Sequence, residues 1–426
     1  MLQSCHRFLL LFLFTGTLAV RALYAQGPMP SRSAAELQAM LNRTQVLGSV
    51  LYVAAHPDDE NTRLITYLAR GKGYRTAYLS LTRGDGGQNL IGSEAGPALG
   101  VLRTQELLAA RRVDGGEQMF SRAYDFGYSK NPEETFRIWG KDSILADVVW
   151  AIRKFKPDVI ITRFPGPEKG GGGHGHHTAS AMLAQEAFAM AADPAAFPEQ
   201  LKYVSVWQAK RLLWNAWQPQ GGVPALENLI SVEIGGFDPL LGRSYGEIAA
   251  EARSMHRCQA FGVARVRGSV TEFLQHEKGE QAKTDLFEGI NTTWERVEGG
   301  DAVQKWLLKA WQSFDPAHPE LIVPYLSKAL LTMEGKEGYW YEVKRREIQE
   351  LLLYCAGIWM EVNSSAPAVA QGDSADLTAF IIKRSNAAVT LKSIYFGYPG
   401  ETNPWNAPLK SSQTMETAKR KFIVRD

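Results

Sequence analysis

The sequence predicts an α/β fold: a Rossmann-like, doubly wound, mostly parallel sheet, followed by a helical region and a C-terminal β-rich segment. Three observations point there. Apolar, β-rich runs recur and each ends abruptly in charge or glycine, as in SVLYVAAHPDDE, YRTAYLSLTRGDGG and DVIITRFPG. Between them lie segments with the apolar spacing of helices and with glycine or proline stops. The conspicuous polar clusters, His56 to Glu60, Asp85 and His174 to His177, all follow the ends of these runs. In doubly wound sheets that edge, beyond the carboxyl ends of the strands, is where ligands bind.

Taken in order, residues 1–25 read as a signal peptide. A polar start with His6 and Arg7 precedes the apolar run FLLLFLFTGTLAV and small residues around ALYAQG, with cleavage expected after Ala25. The protein is therefore expected to be exported, periplasmic or extracellular. No stable membrane span is expected after cleavage, because the apolar run is short and Arg21 follows it closely. A short helix, SAAELQAMLNR, leads into the first strand, SVLYVA, whose unbroken apolar character suits a parallel strand buried on both faces. NTRLITYLARGKG continues as a helix, YRTAYLS as the second strand, ADVVWAIRKFK as a helix ending near Lys156, and DVIITRF as the third strand. TASAMLAQEAFAMA is a further helix.

A core domain is expected over 45–260 and a mainly helical extension over 261–362, the helical character already present in GEIAAEARSMHRCQA and continuing in VKRREIQELLLYCAGIW. From 365 to 426, alternating apolar and polar residues with turns between them predict a β-sandwich-like segment. It has only about 60 residues, so it is expected to be small or incomplete.

Composition narrows the function. The chain has 426 residues, 45% of them hydrophobic, a formal net charge of +2 and no long basic block, which argues against a nucleic-acid partner. No G-x-G-x-x-G follows the first strand, which argues against a dinucleotide site. Cys258 and Cys355 remain in the mature chain, either paired or as two buried thiols. Trp207, Trp214, Trp217 and Trp405 are candidates for stacking on sugar rings or for packing.

Chemistry concentrates in two stretches. AHPDDE places a histidine and two aspartates at a strand end, a partial metal ligand set with a spare carboxylate. In an extended chain Asp58 and Asp59 point opposite ways and divide two tasks; read alone, Pro57-Asp58-Asp59-Glu60 equally suits the first turn of a helix. GGGGHGHHTAS holds three of the chain's eight histidines behind a glycine run. His174 and His177, three apart at a helix entry, can reach one side, whereas His176 in an extended segment is expected to point away. Three protein ligands with an open fourth position are what a catalytic zinc requires.

These stretches resemble the PIG-L / LmbE-like metal-dependent N-deacetylases over about residues 45–260. AHPDDE at 55–60 matches the family's first motif in full. His174-Gly175-His176-His177 resembles its His-Pro-Asp-His motif, with the outer histidines aligned and the middle pair changed. TRGDGG at 82–87 and RTQELLAA at 103–110 resemble its Thr-x-Gly loop and Arg-x-x-Glu helix, and GRSYGEIAAEARSMHRCQAFG resembles a segment of the larger secreted members. The resemblance implies that His56, Asp59 and His177 hold the metal, Zn2+ or another divalent ion such as Fe2+. It implies that Asp58 is the general base, that His174 stabilises or protonates the tetrahedral intermediate and that Arg103 contacts substrate. Some members carry a tyrosine where this chain has Gly172, and His176 replaces an aspartate. The implied activity is removal of N-acetyl groups from N-acetylglucosamine-type sugars or glycoconjugates. The competing expectation is a catalytically idle carbohydrate-binding protein that keeps the same fold.

Overall fold

The computed structural model describes residues 31–216, 226–260, 262–395, 402–412 and 414–423; residues 1–25, expected to be a signal peptide, Trp217 and the Trp405 side chain lie outside the described residues. The chain forms two compact units, Asn42–Asp301 and Met1–Leu41 with Ala302–Asp426.

In the unit Asn42–Asp301, seven strands form one sheet: β1 (Ser49–Ala54), β2 (Arg75–Ser80), β3 (Glu117–Phe120), β4 (Val159–Thr162), β5 (Arg211–Ala216), β6 (Leu229–Glu233) and β7 (Thr271–Gly279). Their spatial order is β3-β2-β1-β4-β5-β7-β6. The first five are parallel, and β7 pairs antiparallel with both β5 and β6. β1 is buried along its whole length. Its side chains alternate between two cores: Leu51 and Val53 face the helices α5 (Lys141–Phe155) and α6 (Gly175–Met190), while Val50, Tyr52 and Ala54 join Leu64, Ile65 and Leu107 on the other face. Both faces of the central strands are thus covered, which is why they read as unbroken apolar runs.

The strand Thr271–Gly279 corrects the expectation of a mainly helical extension over 261–362. TEFLQHEKG is too polar to announce itself, with only Phe273 and Leu274 buried, and it becomes a strand because neighbours pair with it on both sides. Within 240–260 the helix is short, α7 (Tyr245–Arg253), closed at its N-terminus by a Ser244–Glu247 capping box.

The other unit carries the expected helices, among them Val323–Thr332 and Tyr339–Cys355. It then turns to β structure: an antiparallel sheet of Ile358–Ser364, Ser374–Lys383 and Thr414–Ile423, and a hairpin of Thr390–Tyr395 with Thr402–Pro408. Ile358, Ile381, Ala387 and Leu409 share a small core there. Cys258 and Cys355 are both free and buried. No helix among the described residues is long and apolar enough to cross a membrane.

Candidate active site

The sheet brings the two histidine-bearing stretches together. β1 pairs with β2 on one side and β4 on the other, so the loops leaving β1 and β4 diverge to opposite faces and open a crevice between their ends. His56 to Glu60 follow β1, and the glycine-histidine segment follows β4. This is the switch point at which doubly wound sheets bind ligands.

In the first loop, Asp59 Oδ2 accepts the His56 backbone N–H at 2.7 Å and lies 3.1 Å from His56 Nδ1. Asp59 Oδ1 stands 3.4 Å from His177 Nε2. Burial alone would raise the Asp59 carboxyl, but the His56 and His177 rings hold it well below the usual carboxylate range. Asp58 goes elsewhere: its carboxylate pairs with Arg103 Nη2 at 3.2 Å. The two aspartates do divide, though by a turn and not by the alternation of an extended chain, since Asp58 sits at φ +91°. That region is disfavoured for a residue with a Cβ. Burial pushes the Asp58 carboxyl up to about 6, against the pull of Arg103 and with the help of Asp59 and Glu60. Glu60, fully buried, receives His256 Nε2 at 2.9 Å and Arg111 Nη2 at 3.2 Å on one oxygen and the Asp58 N–H at 2.8 Å on the other. Burial would raise it; His256 and Arg111 bring it down to about 2.

In the second stretch the helix starts at Gly175, earlier than the sequence suggested, with His174 as its cap: His174 Nδ1 accepts the His176 backbone N–H at 3.0 Å. His177 Nδ1 lies 3.1 Å from the Gly172 carbonyl, which can only accept, so the proton sits on Nδ1 and the Nε2 lone pair faces Asp59. Phe164 stacks on the same ring at 3.8 Å. Gly172 is needed here because a Cβ would stand 2.4 Å from that of His177.

The early helix start also overturns the expectation for His176. Its first-turn position rotates the ring inward, where it is fully buried, with its Nδ1 2.9 Å from His56 Nε2 and its ring against Phe126 and Trp139. Its Nε2 is buried without a hydrogen-bond partner. Burial and the neighbouring His56 push His176 down to about 2 and His174 down to about 4, so both are neutral at pH 7.

Two donor sets result, His56–Asp59–His177 and His56–His174–His176, each with donor atoms within 4.8 Å of one another. The first contains a charged carboxylate, and Asp59 and His177 both line a cleft of about 440 Å³ with Asp58. Two imidazoles and a carboxylate open to a cleft suit a divalent ion with a vacant position. The second set has no anion, and neither His174 nor His176 lines that cleft.

Arg103 is not where a substrate contact was expected. It is 3% exposed, donating to the Pro57 carbonyl at 2.6 Å and pairing with Asp58 from beneath the loop. The cleft is lined instead by Asn61, Arg63, Arg163, Arg253 and Glu272, none of which the motifs singled out. Glu272 comes from the polar strand β7, and Arg253 from the segment whose resemblance carried no residue roles.

Known proteins similar to this chain bear on the family of the site-bearing segment. Residues 51–188 match the PIG-L family, described as GlcNAc-PI de-N-acetylase. The chain is 28% identical over 243 residues to a 1D-myo-inositol 2-acetamido-2-deoxy-alpha-D-glucopyranoside deacetylase of Streptomyces scabiei, covering 53% of this chain and 68% of that one. It is 28% identical over 291 residues to the corresponding deacetylase 1 of Catenulispora acidiphila, covering 58% and 87%. Among solved structures, N,N'-diacetylchitobiose deacetylase of Pyrococcus horikoshii superposes with a TM-score of 0.37 at 19% identity, covering 54% of this chain and 76% of that one. Residues 51–188 of the chain are thus similar to the PIG-L family, a match that spans both histidine-bearing stretches.

Proposed function

We propose that the protein is an exported, zinc-dependent hydrolase that removes N-acetyl groups from N-acetylglucosamine-type sugars or glycoconjugates. The observation that carries this reading is the grouping of His56, Asp59 and His177, the last two of which line the cleft, with the Asp58 carboxylate on the same cleft but outside the donor set. The relatives named as deacetylases of an acetamido sugar support the reaction and substrate class. The donor set suits zinc, and iron(II) accepts the same ligands.

A divalent ion held by His56, Asp59 and His177 supplies Lewis acidity toward water and the acetyl carbonyl. Asp58, with its carboxyl at about 6, is largely ionised at neutral pH and takes a proton as a water oxygen joins the carbonyl carbon. His174, whose Nδ1 is occupied as an acceptor, keeps its proton on Nε2 and donates a hydrogen bond from that N–H to the developing oxyanion. The C–N bond then breaks, a proton passes from Asp58 to the departing nitrogen, and acetate and a free amine remain.

The test is acetate release by the zinc- or iron-loaded protein across N-acetylated monosaccharides, chito-oligosaccharides and acetamido-sugar inositols. Release from at least one supports the reading. Saccharide binding with no release from any would favour the carbohydrate-binding alternative. Mass spectrometry of the mature chain tests export, with an N-terminus at Gln26 expected.

A further inference from the structure

Asp58 holds a backbone conformation that costs energy, at φ +91°, and such a residue stays there only when its surroundings over-determine it. Much of that determination comes from a segment some 200 residues away in sequence. Arg253, the last residue of α7, donates from Nη1 to the Asp58 carbonyl at 2.7 Å. His256, three residues on and fully buried, sits 2.9 Å from Glu60, whose other oxygen accepts the Asp58 N–H at 2.8 Å. Both backbone polar groups of Asp58 are thus engaged, one directly and one through Glu60, by residues of one short stretch. That stretch is itself anchored: the Cys258 N–H donates to Glu106 Oε1 at 2.8 Å, on the helix that also carries Arg103, and the Cys258 carbonyl accepts from Leu90 N at 2.8 Å.

We infer that residues 253–258 are a clamp for the catalytic loop, with Arg253 and His256 as positioning residues that fix the direction of the Asp58 carboxylate. The inference rests on Asp58 being the base. The two bonds end on Asp58 and Glu60 and not on His56, Asp59 or His177. Loosening it therefore misdirects the base without emptying the metal site. Misplacement on the scale of 1 Å lowers turnover by roughly 100-fold, so Arg253→Ala is expected to lower kcat 10- to 100-fold with metal content unchanged; because Arg253 also lines the cleft, an unchanged KM is expected only of His256→Gln, whose residue lies outside that lining. Arg253→Lys, which keeps one donor, is expected to recover part of that loss.

The test combines kinetics, metal analysis and hydrogen–deuterium exchange on the full-length protein, using Arg253→Ala, Arg253→Lys and His256→Gln. Faster exchange in the peptide covering residues 56–60, together with a loss confined to kcat in His256→Gln, supports the clamp. A rise in KM at constant kcat would reassign Arg253 to substrate binding, and unchanged exchange in both Arg253→Ala and His256→Gln would overturn the clamp. The exchange arm needs no turnover: if the wild-type protein releases no acetate while exchange still responds, the deacetylase reading fails and the mechanical coupling stands.

Discussion

The two loops that meet at the site are built by different means. Residues 56–60 are held by long side chains from elsewhere: Arg103 from α3 (Pro97–Asp114) reaches Pro57 and Asp58, Arg111 reaches Glu60, and Arg253 and His256 reach Asp58 and Glu60. Residues 170–177 rely more on short-range bonds, with outside support from the Ser129 carbonyl, which accepts the Gly175 N–H at 2.8 Å, and from Phe164 stacked on His177. The Gly172 N–H donates to Thr178, the Gly172 carbonyl faces His177, and His174 caps the helix that carries His176 and His177. In the proposed mechanism the base must present one oxygen in one direction, which suits a loop braced from outside. The histidines must approach a common point closely, and glycine with a helix start achieves that locally.

Four substitutions sharpen the contrast. The largest effect is expected from Asp59→Ala, which removes the one anion of the donor set and leaves two imidazoles; metal content should fall from about one per chain to near zero, with all activity lost. Metal analysis after dialysis measures it. Asp58→Asn follows, because the amide preserves the shape but cannot take the proton: about one metal per chain and a fall in kcat of roughly 100- to 10,000-fold are expected. Metal loss in Asp58→Asn with retention in Asp59→Ala would mean that the two aspartates exchange roles.

The other two substitutions probe the histidine loop. His174→Ala is expected to keep its metal and its KM and to lose on the order of 100-fold in kcat, the size of effect seen when one oxyanion donor is removed. Because His174 also caps α6, His174→Asn serves as a control that retains a capping acceptor and should restore stability but not rate. The smallest effect belongs to His176→Ala. It deprives His56 Nε2 of its partner and leaves a hole beside Phe126 and Trp139. Outer partners of this kind are worth about 10- to 100-fold in metal affinity, so chelator competition should show weaker binding while metal-saturated kcat stays within a few-fold.

His176 marks a boundary between what residue order reveals and what it does not. Whether it points at the site depends on whether the helix begins at Gly175 or Thr178, a difference of three residues that rotates the ring from outside to inside. Helix starts shift by that much with capping, and the cap here is a histidine ring nitrogen, an uncommon acceptor absent from the usual Ser, Thr, Asp and Asn set. Arg103 shows the same limit from another side. Its presence near the site was legible from the Arg-x-x-Glu pattern, but its burial beneath the loop depends on how α3 packs against the sheet.

By itself the sequence determined the central sheet, because strands buried on both faces must be apolar throughout, and SVLYVA, RTAYLS and VIIT have little other use. It also determined which polar residues gather at one edge, since His56, Asp58, Asp59, His174 and His177 are grouped at strand ends where a doubly wound sheet opens. Tertiary structure alone decided the rest. Thr271–Gly279 became a strand through pairing on both sides and brought Glu272 into the cleft. Arg253 and His256 reached a loop 195 and 196 residues away in sequence, because α7 packs against the helices that follow β1 and precede β3. Hydrophobic periodicity records which face of an element is buried; it carries no record of which distant polar group will be waiting there.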